Sequence, residues 1–211
     1  MKVAFIAVCI IALLFIGASY YFYNAYNKTQ SELEAKVADM SQEKEVEISR
    51  LTDTYDRLVA DMKKEIEMGQ IKITQLHDRL SVSMVDKILF PSGEAEITPE
   101  GLKILERVGS VLKNTQNKII RVEGHTDNVQ IHPRLQKKFP TNWELSTARA
   151  TNVVRFLQEK VGIEPVRLQA IGMSEYHPVA SNKAEEGRSQ NRRIEINLLP
   201  EPAEEMPVMS E

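Results

Sequence analysis

Hydrophobic positions change period three times along the chain. Val3–Tyr23 is an unbroken run of apolar, small and aromatic residues with no Asp, Glu, Lys, Arg or His. At 1.5 Å rise per residue, roughly 20 such residues reach about 30 Å, the thickness of a bilayer's hydrocarbon. The run therefore predicts a membrane-spanning helix within residues 1–27, with Tyr20–Tyr23 and Tyr26 at the water interface. Lys2 and the terminal amine favour an N-inside orientation, with the rest of the chain outside. Cleavage after Gly17-Ala18-Ser19 and lipidation of Cys9 are the competing fates of the same run. From residue 28 to 81 there is no proline and a single glycine, Gly69. Apolar residues recur at Leu51, Tyr55, Leu58, Met62, Ile66, Gly69, Ile73, Leu76 and Leu80 in steps of three and four. That spacing predicts a long helical spacer over 28–81, a coiled coil that makes the chain a homo-oligomer, or else a single charged helix.

Beyond residue 81 the period shortens and turn residues appear. Val82–Phe90 reads as a strand broken by Pro91-Ser92-Gly93. Thr98-Pro99 then opens a helix with Leu102, Leu105, Val108 and Leu112 inward. Ile119–Gly124 is a second strand, followed by a loop to Pro140 that is long for a simple connection. Thr141 and Glu144 form a capping box for a helix that Gly162 ends. Val166–Ile171 is a third strand, residues 184–190 a short helix, and Arg192–Leu199 a last strand with Ile194, Ile196 and Leu198 inward. The order β-α-β-α-β-(α)-β over 82–199 predicts an α+β sandwich, helices on one face of a mixed sheet. Residues 200–211, with four acids and Pro202 and Pro207, read as a disordered acidic tail.

Composition adds little beyond this. The net charge of −3 over 211 residues gives no basic field for nucleic acid. Residues 84–199 are mildly basic, 17 Lys and Arg against 14 Asp and Glu. The lone Cys9 permits no intrachain disulfide.

The candidate chemistry lies in three stretches: Val122-Glu-Gly-His-Thr-Asp-Asn128, Asn142-Trp-Glu-Leu-Ser-Thr-Ala-Arg149 and Asn191-Arg192-Arg193. They put an acid, Asp127, at a strand end, Arg149 on a helix, and Arg192 before another strand. An acid and a guanidinium held apart suit a ligand with both an ammonium and a carboxylate. Taken singly, Asp127 also reads as a turn cap, Arg149 as a surface ion-pair partner, and Arg192 and Arg193 as a solvated basic edge. Trp143 reads as a core or staple residue, with a sugar platform as the lesser alternative. His125 and Asp127 stand two apart, and no His, Glu or Cys set at metal-ligand spacing joins them. No phosphate loop or nucleophile elbow is present, so the chain reads as a binding protein without cofactor or metal, not an enzyme.

Residues 82–199 resemble the OmpA-like peptidoglycan-binding domain, the C-terminal module shared by OmpA, Pal and MotB. The matching stretches are Ile88-Leu-Phe-Pro-Ser-Gly-Glu-Ala-Glu-Ile97, Gly124-His-Thr-Asp-Asn128, Leu145-Ser-Thr-Ala-Arg-Ala150 and Gly187-Arg-Ser-Gln-Asn-Arg-Arg193. The wording Phe-Pro-Ser-Gly and Asn-Trp-Glu-Leu-Ser is most similar to MotB. The resemblance implies non-covalent binding of the peptidoglycan stem peptide through diaminopimelate. Asp127 would take its ammonium and Arg149 its carboxylate, with Asn142, Arg192 and Ser92 bordering the pocket. Relatives often carry threonine where Val129 stands here. It also implies a single-pass inner-membrane protein, its C-terminal domain in the periplasm, tying the cytoplasmic membrane or an envelope or motor complex to the wall. The alternative is a MotB-like stator subunit of an ion-driven motor. A stator needs a carboxylate in its membrane helix, and Val3–Tyr23 has none.

Overall fold

The computed structural model describes residues 2–115 and 117–201, leaving out the side chains of residues 2–12. The chain divides into two units, residues 1–47 and 48–211. The first is helical, part of α1 (Lys2–Asp61), and its described side chains are almost all solvent-exposed, including Leu33, Val37 and Met40. Among the described residues no helix is long and apolar enough to cross a membrane. The first half of the run Val3–Tyr23 falls on residues 2–12, so its side chains lie outside the described residues. The expected acidic tail lies outside them too, from residue 202 onward.

The second unit is a mixed α+β fold. After the end of α1 come α2 (Lys63–Glu67), β1 (Ile71–Leu76), β2 (Arg79–Val85), α3 (Asp86–Leu89), α4 (Pro99–Lys113) and β3 (Lys118–His125). Then follow α5 (Asn142–Phe156), β4 (Leu168–Ser174), α6 (Glu185–Asn191) and β5 (Arg193–Pro200). The sheet order is β1-β2-β5-β3-β4; β3 and β4 run parallel and every other neighbour pair is antiparallel. Alternation sets the inward face: Leu80, Val82 and Met84 on β2, Ile120 and Val122 on β3, and Ile194, Ile196 and Leu198 on β5 are all at most 1% exposed. Helix starts follow the local chemistry. Thr98 caps α4 by accepting from the Gly101 amide, with Pro99 at the first helical position. Thr141 and Glu144 close a capping box on α5.

Two expectations need correction. The helix expected through residue 81 ends at Asp61, and the sheet begins at Ile71 rather than Val82. Gly69, in the left-handed region at φ 67°, turns the chain into β1, and His77 at φ 53° turns β1 into β2. The seam residues Leu51, Leu58 and Met62 are nearly inaccessible because they pack into the core of their own unit, with Ile71, Leu80 and Val82. Their three- and four-residue steps mark one buried face of an amphipathic helix, not a coiled-coil seam. The strand expected at Val82–Phe90 is likewise shorter: β2 stops at Val85 and a helical turn, α3, follows.

Arg107 on α4 ties these first elements down, donating to the Asp61 carbonyl at 2.9 Å and pairing with the Glu65 carboxylate. Burial, the largest influence, would raise the Glu65 carboxyl, but the hydrogen bond from Arg107, a backbone hydrogen bond and the charges of Arg107 and Lys64 together outweigh it and hold the group below its ordinary value of 4.5. The folded state thus binds this proton less readily than the unfolded chain. The stabilisation is present above the ordinary carboxylate pKa and lost as pH falls through the lower folded one. Thermal melts between about pH 6 and about pH 3 should show a smaller acid-induced drop in Tm for Glu65→Gln than for the native chain.

A candidate ligand site at the end of the sheet

Three strand ends meet in one place. Arg193, the first residue of β5, is paired with Val85 at the end of β2 and with His125 at the end of β3. The residues just past those ends are Asp86, Arg192 and Asp127. The Asp86 amide donates to the Arg192 carbonyl at 3.0 Å, which holds the first two together. Helix α5 supplies the rest. It lies close on β3 and β4 because Gly124 and Gly172 face it; a Cβ on Gly124 would stand 2.2 Å from the Ser146 carbonyl oxygen.

The charges form an alternating line. Arg149 Nη1 donates to Asp86 Oδ2 at 2.9 Å, and Arg192 Nε lies 3.9 Å from Asp86 Oδ1. Arg192 also reaches Asp127 Oδ2 at 2.5 Å and Glu185 Oε1 at 2.6 Å. Arg149 is further fixed by its Nε bond to the Glu94 carbonyl, 2.8 Å, and by the Phe90 ring, 5.0 Å from the guanidinium carbon. Burial pushes the Asp86 carboxyl above its usual range, against the pull of Arg149 and Arg192. Burial also presses the Arg149 guanidinium below its usual value, with Asp86 pulling the other way. On Arg192, burial opposes the charge, but hydrogen bonds to Glu185 and Asp127 outweigh it and leave the guanidinium above its usual value. Arg149 and Asp86 are closed off from water, whereas the Arg192 side chain is 29% exposed and is the accessible cation of the line.

Four of the five residues singled out by sequence are brought together. Asp127 accepts from the Val129 amide at 3.0 Å, so it caps its turn as well as pairing with Arg192. Asn142, first residue of α5, directs Nδ2 to the carbonyls of Asp127 (3.3 Å) and Val129 (3.1 Å) and to Glu175 Oε2 (2.8 Å). Arg149 joins through Asp86 rather than by facing Asp127 directly. Ser92 is exposed in the loop after α3, two residues from Glu94, and makes no side-chain hydrogen bond to the cluster. Sequence reasoning missed Asp86, Glu185 and Glu175. Asp86 had a signal: it is the one acid in the largely apolar run Val82-Ser-Met-Val-Asp-Lys-Ile-Leu-Phe90. Trp143, expected in the core or as a staple, is 47% exposed.

Among the described residues, one group could offer a cation three ligand atoms: Glu123, His125 and Glu195, all within 4.8 Å of one another. His125 is buried, with Glu123 Oε2 3.7 Å from its Nε2. Arg193 already occupies Glu195 at 2.6 Å, and a resident guanidinium repels a metal ion. A surface cleft lined by Lys113, Asn114, Gly162, Glu164 and Arg167 contains none of the residues of the charged line. What the line can do is exchange partners: a ligand carboxylate can replace an acid on Arg192 while its ammonium meets the acid released.

Comparison with known proteins agrees on family. Residues 89–192 match the OmpA family. Motility protein B of Bacillus subtilis (strain 168) is 39% identical over 124 residues, 59% of this chain and 46% of that protein. A crystallised MotB-like protein from Desulfovibrio vulgaris superposes with TM-score 0.67 at 28% identity, covering 77% of this chain and 99% of that one. The cell wall anchor of the T6SS from Pseudomonas aeruginosa superposes with TM-score 0.62 at 32% identity, covering 70% of this chain and 99% of that one. The chain spans about half the length of the first curated relatives it matches, 46% and 44%.

Proposed function

Because the chain belongs to the OmpA family, we propose that it is a non-catalytic peptidoglycan-binding protein, anchored in the cytoplasmic membrane by Val3–Tyr23, that ties the membrane or an envelope assembly to the cell wall. The ligand is the diaminopimelate of the stem peptide. The observation that carries this reading is the alternating line Arg149–Asp86–Arg192–Asp127 at the sheet end, with Arg192 open to solvent. A zwitterionic end group matches such a line: its ammonium settles on Asp127 and its carboxylate on Arg192. Arg149 then acts from behind, holding Asp86 and through it Arg192. The domain lies in the periplasm in this reading. Leu33, Val37 and Met40, exposed along α1, support weak homo-oligomeric contact; Leu51, Leu58 and Met62 are committed to the core.

Similarity to motility protein B favours a second reading, a stator subunit. The absence of any acid from Val3–Tyr23 weighs against it, since ion transfer needs a protonatable or ion-binding group within the membrane.

The test is sedimentation of the full-length chain with purified diaminopimelate-type peptidoglycan. Asp127→Asn keeps an oxygen for the Val129 amide and removes only the charge. It should weaken binding about ten- to a hundredfold, the worth of a charge-assisted hydrogen bond of about 1.5–3 kcal/mol. Unchanged sedimentation of this variant would rule out Asp127 as the ammonium acceptor.

A further inference from the structure

One feature of the site surface is left over by the charged line. Trp143 and Tyr176 lie side by side, ring centroids 5.6 Å apart and planes 31° from parallel, and both are open to water, at 47% and 64% exposure. Val129, 55% exposed, is tied to the same spot. All three are positioned by one side chain. Asn142 Nδ2 bonds to the Val129 carbonyl and to the carboxylate of Glu175, and Asn142 and Glu175 directly precede Trp143 and Tyr176 in the chain. The same amide group bonds to the carbonyl of Asp127. The aromatic pair is therefore built onto the rim of the charged line, not scattered on the surface. Burying these rings in the core would have been favourable by about 25 cal/mol per Å². Grouped apolar side chains that stay exposed beside a polar site mark contact surfaces.

We infer that Trp143 and Tyr176 form a platform for a pyranose ring of the peptidoglycan glycan, next to the subsite for the stem peptide. The inference rests on the proposed reading of the charged line and extends it to a second part of the same ligand. A stem peptide is covalently joined to an amino sugar. Its end group on Asp127 and Arg192 would thus bring a sugar within a few residues' reach, at about 3.3–3.6 Å per residue. An aromatic face is electron-rich and attracts the weakly positive C–H bonds on the flat side of a pyranose. Size also favours a sugar. Two rings and a valine can cover one or two sugar units, whereas a stable protein interface needs on the order of 1,000 Å² or more.

The experiment compares two soluble ligands on the full-length chain in detergent: a disaccharide–tripeptide containing diaminopimelate, and the same tripeptide freed of its sugars. Kd is read by calorimetry and by Trp143 fluorescence, Trp143 being the sole tryptophan. The native chain should bind the sugar-bearing ligand about tenfold more tightly. Trp143→Ala and, separately, Tyr176→Ala should remove that advantage and leave the free tripeptide's Kd unchanged. Equal affinity of the native chain for both ligands, or variants that weaken both equally, would overturn the platform and leave the peptide site standing. Failure of the native chain to bind either ligand would overturn both readings.

Discussion

Arg149→Ala should lower the stability of the folded domain by about 3–5 kcal/mol, the usual cost of removing one partner of a buried ion pair. The Arg149 and Asp86 side chains are 4% and 9% exposed, so truncation strands the Asp86 carboxylate in a site where burial already disfavours its charge. It also leaves the Glu94 carbonyl without its donor and the Phe90 ring without its cation. Against a typical total stability of about 5–15 kcal/mol, this is a large fraction. Denaturant unfolding of the native and variant chains measures it directly. The double variant Asp86→Asn with Arg149→Ala should recover part of the loss, because no charge then remains buried without a partner. If Arg149→Ala proves as stable as the native chain, the Arg149–Asp86 pair is not the internal brace described above. Wall binding should fall in the single variant too. Asp127→Asn, which leaves this pair intact, is therefore the cleaner test of ligand recognition.

Gly124→Ala is the second large effect. The added methyl would sit 2.2 Å from the Ser146 carbonyl oxygen, an atom of the α5 backbone that cannot rotate away. The helix must move or the strand must bend, at a cost of about 3 kcal/mol by comparison with overpacked cores. Because α5 carries both Asn142 and Arg149, the same displacement should reduce ligand affinity. Gly172→Ala offers an internal comparison. Its nearest obstacle is the Thr147 hydroxyl, 2.1 Å away, so a companion Thr147→Ala should relieve that variant in part. The companion should do nothing for Gly124→Ala. Unfolding midpoints of the four variants separate a backbone clash from a side-chain one.

The seam expected over residues 51–80 failed for an identifiable reason. Steps of three and four residues are produced equally by a helix facing a second chain and by a helix facing its own sheet. Leu51, Leu58 and Met62 take the second option. Ile73, Leu76 and Leu80 extended the apparent seam, yet they sit on β1 and β2, where alternation governs which face is buried and puts Leu76 on the exposed face with Lys72 and Thr74. The turn between these strands, His77-Asp78, contains no glycine or proline to announce it. Gly69 was the available signal, and its left-handed conformation is what ends the helical stretch.

Local chemistry sufficed for most elements of the C-terminal part. Thr98, Pro99, Thr141, Glu144 and Gly162 each act on backbone groups within a few residues, so their effects are legible in sequence order. Alternation placed Ile194, Ile196 and Leu198 inward, and motif wording singled out Asp127, Asn142, Arg149 and Arg192. Partner choice belonged to the tertiary structure. Asp86 and Arg149 lie 63 positions apart, and Asp127 and Arg192 lie 65 apart. Which acid meets which guanidinium depends on sheet register and on the approach of α5 over Gly124 and Gly172. The exposure of Trp143 was decided the same way, by where the chain after β4 brings Glu175 and Tyr176. Short-range hydrogen bonds and side-chain periodicity are properties of neighbouring residues; the pairing of charges across a sheet end exists only once distant strands have been brought into register.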